Sequence, residues 1–293
     1  MKIKKLISAL VLGSMLVGLS GCNITDFSAE NLLRPPKAVG DEAEIEQLIA
    51  KTADSGYTLK YPKNGKFRSA IIMTDLDGND SNEAVAFFRN SAETSSVHML
   101  VMYSKDNSWK IASDNIFETT DIDSVDFADL TGNGKAEIIV NSTTYTPNVG
   151  KLSCYSYSEG KTNEVGSGQS CSSFVTGDFD NDGTSEIMSL VLYTTENEAL
   201  ASMLDYNEDS KSLYAKAMAN MDPNVVKYKN IAVTKLDNDI TGIVVDGTSA
   251  NEVTNTQVIF YSRDLAILRN PLFKEKAKNI TRRSSQVICS DID

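Results

Sequence analysis

A nine-residue, Asp-rich loop that leads into a short apolar segment recurs along the chain at intervals of about fifty residues. With the positions of each loop numbered 1 to 9, the complete copies are residues 75–83, 129–137 and 178–186. A degraded fourth copy begins at Lys235, and a fifth begins at Asp291 and reaches the end of the sequence at Asp293. A period of this length is typical of repeat proteins, in which each repeat is one supersecondary unit.

The stretches between the loops predict an all-β fold. From residue 60 onward, short runs rich in β-branched and aromatic residues alternate with turn residues, about four runs to each period. Four antiparallel strands and their turns need about fifty residues. Repeated four-stranded units are typical of blades, so we predict a β-propeller over residues 60–293. A parallel β-helix repeats at a shorter period, and a β-sandwich would not normally carry the same loop five times.

The composition of the loops indicates calcium binding. Ca²⁺ takes six to eight oxygen ligands in a flexible geometry, and loops with acids or amides at alternate positions supply them. In the third loop the candidate ligands at positions 1, 3, 5, 7 and 9 are Asp178, Asp180, Asp182, the backbone carbonyl of Thr184, and Glu186. We expect such an ion to stabilise the loop rather than to react. The alternative is that Asp, Asn and Gly form these turns without metal.

The charge of each loop predicts an order of calcium affinity. The first loop offers Asp75, Asp77, Asn79 and Glu83, and the second offers Asp129, Thr131, Asn133 and Glu137. Four carboxylates make the third site the strongest, and the first follows because it has three and places Asp80 where glycine is favoured. The second loop has two carboxylates and is predicted to be weak. Lys235 at position 1 predicts that the fourth is empty, whereas Asp291 and Asp293 are candidate ligands of the fifth.

The N-terminus has the pattern of a secretory signal. Three lysines precede an apolar run, Leu6–Leu19, which is shorter than the roughly twenty residues of a membrane-spanning helix. The run ends in Leu-Ser-Gly-Cys, which is similar to a bacterial lipobox. We therefore predict a signal peptide over residues 1–21, with lipidation of Cys22 that anchors the protein in the outer face of the cytoplasmic membrane. The alternative is an ordinary signal peptide with a cysteine near its cleavage site.

Two segments precede the predicted strands. Residues 22–40 contain Pro35 and Pro36 and few large apolar residues, so we expect a lipidated tether. Residues 41–54 place Ile45 and Ile49 on one face of an amphipathic helix, with acidic residues opposite. We expect this helix to pack on the main domain, and a partner-binding helix is the alternative.

The Asp loops and the strands that follow them resemble FG-GAP or VCBS repeats, over roughly residues 65–293. The resemblance implies a β-propeller with calcium in its peripheral loops, and seven blades as in integrin α-subunits, so that the sequence would end inside an incomplete propeller. The departures from the repeat pattern are at Asp80, Thr131 and the whole fourth loop. A lipobox followed by such repeats is similar to surface lipoproteins of Gram-positive bacteria, a family that brings no agreed activity.

The charge balance narrows the choice of partners. Without residues 1–21 the chain has 25 basic and 40 acidic side chains, because that segment contains three lysines and no acids. Nucleic acids and anionic headgroups would be repelled at long range, so we expect no nucleic-acid partner.

Cys154 and Cys171 are either a disulfide, which an extracellular location permits, or two buried thiols.

The sequence favours a binding module over an enzyme. The single histidine, His98, lies in an alternating strand pattern typical of a packed or surface side chain, and there is no second histidine to form a metal pair. The sequence therefore gives no support to a histidine-based triad or a zinc site. Our first hypothesis is a module at the cell envelope that binds a protein or a glycan. The alternative is an extracellular polysaccharide lyase or hydrolase that uses acids such as Glu118 or Asp121, and hydrolysis needs two carboxylates about 5–10 Å apart. A solute-binding lipoprotein is less favoured, because those proteins alternate strands with helices.

Overall fold

The computed structural model describes residues 40–54, 56–237, 239–269, 281–283 and 286–288. The predicted signal peptide, Cys22, almost all of the tether and the fifth loop copy at Asp291 and Asp293 lie outside the described residues. The strands belong to one compact unit that begins at Glu44.

The described chain is one helix followed by antiparallel sheets. Helix α1 spans Asp41–Ala53. The first sheet contains β1 (Tyr57–Leu59), β2 (Ile71–Thr74), β3 (Glu83–Asn90), β4 (Val97–Lys105) and β5 (Ser108–Phe117). The second contains β6 (Ile122–Ala128), β7 (Glu137–Thr143), β8 (Gly150–Ser158) and β9 (Lys161–Cys171). The third contains β10 (Ser173–Gly177), β11 (Glu186–Tyr193), β12 (Glu198–Asn207) and β13 (Ser212–Asn220).

The fourth sheet contains β14 (Val225–Asp237), β15 (Ile240–Ser249), β16 (Thr254–Tyr261) and β17 (Leu265–Arg269), and a short pair follows with β18 (Thr281–Arg283) and β19 (Gln286–Ile288). The second, third and fourth sheets each have four strands paired in chain order. The prediction of an all-β fold built from four-stranded antiparallel units is confirmed.

Consecutive sheets contact one another at their last strands, and from the second sheet onward also at their first strands. The first strands meet in the pairs β6 with β10 and β10 with β14, and the last strands meet in the pairs β5 with β9, β9 with β13 and β13 with β17. The second strand of each sheet therefore lies between neighbouring sheets. In β7, Ile138 and Val140 belong to a cluster shared with the first sheet, while Ile139 belongs to one shared with the third. Burial on both faces explains why the adjacent residues 138–140 of β7 are all apolar.

The first strand of the first sheet is built in two pieces. β1 pairs with the end of β3 (Tyr57 opposite Asn90), and β2 pairs with its beginning (Ile71 opposite Ala86). The intervening 60–70 loop leaves the sheet and contacts the next one. There the backbone N–H of Asn64 donates to the backbone carbonyl of Asp123 at 2.7 Å. This loop ties the first sheet to the second.

Helix α1 covers the free face of the first sheet. Ile45 and Ile49 are buried in a cluster with Phe88, Leu100 and Trp109. The Trp109 backbone N–H also donates to a carboxylate oxygen of Glu44 at 3.1 Å. The apolar side of the helix thus buries a face against which none of the other described sheets packs.

We expect Ile49→Ala to lower the free energy of unfolding by about 2–5 kcal/mol, because Ile49 is fully buried and its removal leaves a cavity. Urea denaturation of the variant and the parent measures this difference. The exposed Lys51 on the same helix provides the control, since Lys51→Ala should change the free energy by less than about 0.5 kcal/mol. Equal midpoints for the two variants would show that the helix does not contribute to the core.

Candidate metal centres and a polar cleft

The aspartate at position 1 shapes each loop. In the first loop the Asp75 carboxylate accepts the N–H groups of Gly78 (2.8 Å), Asn79 (3.2 Å) and Asp80 (2.9 Å). Asp129 accepts two such bonds and Asp178 accepts one, at 3.2 Å. A short side-chain carboxylate that accepts hydrogen bonds from the backbone N–H groups just after it favours a tight turn. The aspartate at position 1 therefore helps to fold the loop without a bound ion.

The glutamate at position 9 closes each loop. Glu83, Glu137 and Glu186 are at most 3% exposed, and each begins the second strand of its sheet. One carboxylate oxygen of each accepts the backbone N–H of position 2, at 2.9, 2.8 and 2.8 Å. Burial raises the pKa of all three carboxyl groups, and it raises that of Glu186 to about 8 with help from nearby Asp180 and Asp182.

The third loop gathers four carboxylates. Asp178, Asp180, Asp182 and Glu186 each bring one oxygen within 4.8 Å of the others. The Asp178 Oδ1 and Glu186 Oε1 atoms are buried and have no hydrogen-bond donor among the described residues. Buried carboxylate oxygens of this kind are costly unless a cation or a donor compensates them. The residues therefore fit a hard cation such as Ca²⁺.

The first loop gathers three carboxylates, from Asp75, Asp77 and Glu83. Its Asp77 Oδ1 is buried and lacks a donor among the described residues. Asp80 has φ of 64°, and the corresponding Gly183 of the third loop has φ of 94°. This is the left-handed region in which a non-glycine residue is strained by about 1–2 kcal/mol, so the expectation about position 6 is confirmed.

The second loop closes on itself. The Thr131 hydroxyl donates to Glu137 Oε1 at 3.1 Å, while the N–H groups of Leu130 and Thr131 occupy Oε2. Asn133 Oδ1 accepts the N–H of Lys135 at 2.8 Å. Both oxygens of the glutamate already have donors here, so this loop is complete without an ion.

The fourth copy does not form a comparable loop. β14 and β15 remain paired as far as Asp237 opposite Ile240, so that two residues connect them. Lys235, which the sequence places at position 1, lies within strand β14 opposite Thr241.

Loops of neighbouring sheets contact each other. The Ala136 N–H donates to the Leu76 carbonyl at 3.1 Å, and the Ser185 N–H donates to the Asp129 carbonyl at 2.9 Å. A Cβ atom on Gly132 would lie 2.7 Å from Thr184 Cγ2, which shows how closely the second and third loops approach. An ion that orders one loop would therefore also support the packing of adjacent sheets.

A lysine that sequence analysis missed lies at the third loop. The Lys216 ammonium contacts Asp180 Oδ2 and lies 2.8 Å from Asp205 Oδ2. Partial burial lowers the pKa of Lys216, but hydrogen bonds with the two carboxylates outweigh it and the net pKa is raised. Lys216 is 36 residues from Asp180, so the loop motif itself carried no signal of this contact.

A cleft of about 770 Å³ lies at the other end of the strands. The Asp loops follow the ends of β2, β6 and β10, whereas the cleft is lined near the beginnings of β6, β10 and β14. Its hydroxyl side chains include Thr120, Ser124, Thr143, Thr144, Ser172 and Ser173. Lys63, Lys227 and Lys229 also line it, and among the described lining residues Asp123 is the one carboxylate.

Asn141 is the most buried polar group of the cleft lining. It is 1% exposed, its amide nitrogen donates to Asp123 Oδ2 at 3.3 Å, and its Oδ1 has no donor among the described residues. Gly150 leaves the space that the amide fills, since a Cβ there would lie 2.3 Å from Asn141 Oδ1. The amide is thus fixed in the wall of the cleft, and its oxygen is buried.

Of the two candidate acids, Glu118 is exposed and Asp121 is held by lysines, and the thiols of Cys154 and Cys171 are buried. Asp121 forms ion pairs with Lys60 and Lys63, and these hydrogen bonds outweigh burial and lower the pKa of Asp121. Cys154 and Cys171 are free and buried. Burial raises the pKa of Cys171 to about 12, so the thiol stays protonated at neutral pH.

The comparisons with known proteins add no assignment. No family model matches the sequence, and no curated protein matches it. Within the part of the chain that the structure describes, no helix combines the length and the apolar composition that crossing a bilayer requires.

We expect Glu137→Ala to lower the free energy of unfolding by about 3 kcal/mol, because the buried N–H groups of Leu130 and Thr131 lose their acceptor. Glu137→Gln should lose less, since its amide oxygen can still accept. Urea denaturation gives both values. Glu198→Ala, at an exposed acid, is the control, and a loss no larger than the control's would show that the glutamate does not hold the loop.

Proposed function

We propose that this protein is a lipid-anchored binding module of the bacterial cell envelope, built on a calcium-stabilised β-propeller. Four-stranded sheets that follow one another and meet at their first and last strands support the propeller, since blades pack in this way. The lipobox at Cys22 supports the anchor. Seven blades remain the expectation from the repeat resemblance.

Calcium is supported by the oxygen-only donor sets of the third and first loops. Their buried, donor-free atoms at Asp178, Glu186 and Asp77 are the observation that carries the assignment. A bound Ca²⁺ would supply the positive charge that these carboxylates need. The protein's own contribution is to hold the oxygens within 4.8 Å of one another by means of the closing glutamate and the folded loop.

A calcium-dependent rise in the melting temperature is the first expected result, measured on a soluble form that starts after Cys22. At a hundredfold excess over the dissociation constant, one site adds about 2.7 kcal/mol, which is roughly 5–10 °C for a chain of this size. The combined variant Asp77→Asn and Asp182→Asn should abolish the rise.

These substitutions remove charge and keep the fold. Asp182 Oδ1 accepts the Thr184 N–H at 2.8 Å, and an asparagine can keep that bond, as Asn133 does at the same position of the second loop. Magnesium is the control ion and should give a smaller rise, because it requires a stricter octahedral geometry than these loops provide. Identical melting temperatures with calcium and with chelator would contradict the proposal.

The polar cleft is the proposed ligand site. Its volume of about 770 Å³ lies within the usual range for small-molecule and oligosaccharide sites, roughly 300–1,000 Å³. Hydroxyl and amide side chains suit a hydroxyl-rich ligand, and the lysines Lys63, Lys227 and Lys229 outnumber Asp123 in the lining. A glycan fragment that carries an acidic group is the ligand class that these features favour.

Binding is favoured over polysaccharide hydrolysis. Hydrolysis by general acid–base chemistry uses two carboxylates, and the described lining residues of the cleft include one, Asp123. The neighbouring Asp121 is held in ion pairs with Lys60 and Lys63, and its lowered pKa is unfavourable for a general acid.

Isothermal titration with an oligogalacturonate and with the uncharged oligogalactoside of equal length tests the cleft. We expect the acidic sugar to bind about tenfold more tightly, since a hydrogen bond to a charged group contributes about 1.5–3 kcal/mol. The double variant Lys227→Gln and Lys229→Gln should remove the difference. Lys161→Gln, at an exposed lysine at the far end of the second sheet, should preserve it. Equal affinity of the parent for both sugars would contradict an acidic ligand.

A further inference from the structure

We propose that Lys216 is an internal cation of the third loop that competes with calcium for Asp180, so that the first loop binds calcium more tightly than the third. This inference rests on the proposed calcium role of the loops. It reverses the order that the number of carboxylates alone predicts.

The contact geometry places the ammonium inside the candidate ligand set. Lys216 Nζ contacts Asp180 Oδ2, and Asp205 Oδ2 lies 2.8 Å from the same nitrogen. The Lys216 side chain is 23% exposed, and those of Asp180 and Asp205 are 9% and 11% exposed, so water screens these contacts poorly. A calcium ion that used Asp180 would have to bind beside this positive charge or displace it.

A β-bulge directs Lys216 to this position. In the pairing of β12 with β13, Met203 lies opposite Ala217 and Leu204 opposite Ala215, which leaves Lys216 as the extra residue. Bulges commonly redirect a side chain in this way. The register therefore explains how a residue on the last strand reaches a loop between the first two strands.

The equivalent bulges of the first and second sheets carry no charge. The first sheet has its bulge between Val101 and Met102 of β4, which leaves Ala112 as the extra residue. The second sheet has one between Cys154 and Tyr155 of β8, which leaves Val165. Both are apolar residues that pack in the core. The lysine is thus paired with the loop that has the most carboxylates.

The first loop has no comparable competitor. Among the described residues, no lysine or arginine forms an ion pair with Asp75, Asp77 or Glu83. Its three clustered carboxylates face no internal cation, while the four of the third loop share one. The chain therefore has two classes of cation site, one open and one that is partly neutralised from within.

The decisive measurement is calorimetric titration of calcium into chelator-treated full chain that carries Asp77→Asn, which weakens the first loop so that the third is read alone. Adding Lys216→Met should tighten calcium binding by about tenfold or more. An ammonium and a dication that contact the same carboxylate repel each other strongly, even with the dielectric constant of water. Lys161→Met in the same background is the matched control and should change nothing.

Thermal unfolding supplies a second readout. In chelator, Lys216→Met should melt below its parent, because the carboxylates lose their internal counter-ion, while in saturating calcium the difference should shrink or reverse. Asp205→Asn should weaken calcium binding at the third loop, since a displaced Lys216 would have no second carboxylate to contact.

The possible outcomes distinguish the role of Lys216 from the calcium proposal on which it rests. Calcium binding at the third loop that is unchanged or weaker in Lys216→Met would overturn the role of the lysine and leave the calcium proposal intact. Binding by the native chain that disappears in Asp77→Asn with and without Lys216→Met would also overturn the inference, because the third loop would then not be a site. Absence of calcium binding by every protein would overturn the proposed function itself.

Discussion

A hydrogen bond between a buried glutamate and the backbone amide at position 2 of its loop connects each complete loop to the core of its sheet. It joins the end of each first strand to the start of the second strand in the three complete repeats. The same bond turns the position 2 side chain, Leu76, Leu130 or Phe179, into the core. Burying a carboxylate costs free energy that this hydrogen bond partly offsets, so the loop and the core hold each other in place.

The loops and the cores then join the sheets. Loop-to-loop hydrogen bonds through Ala136 and Ser185 lie at one end, and the 60–70 loop with its ion pairs to Asp121 lies nearer the other end. Between them, second strands such as β7 and β11 supply side chains to the clusters on both faces. The molecule thus separates two sets of polar side chains along the strands, with carboxylate-rich loops at one end and a hydroxyl-lined cleft with lysines at the other.

Sequence reasoning succeeded where the determinants are local. The Asp loops, the four-stranded period, the amphipathic helix and the strained position of Asp80 all follow from residues within a few positions of one another. It failed where distant residues meet. Nothing in the local pattern of the 60–70 loop indicates that its lysines pair with Asp121, which is 58 residues beyond Lys63. Lys216 likewise carried no signal, because the bulge that directs it toward Asp180 exists only in the paired sheet.

The repeat, the strands and the carboxylates available in each loop follow from the sequence alone, since period, pattern and composition are properties of neighbouring residues. How those carboxylates are used depends on contacts that form when the chain folds. In each complete loop the glutamate at position 9 has one oxygen hydrogen-bonded to the backbone. In the second loop the Thr131 hydroxyl donates to the other oxygen of Glu137, and in the third loop Lys216 contacts Asp180. Charge and burial depend on what folding brings together in space, so the same motif has three different electrostatic environments in one chain.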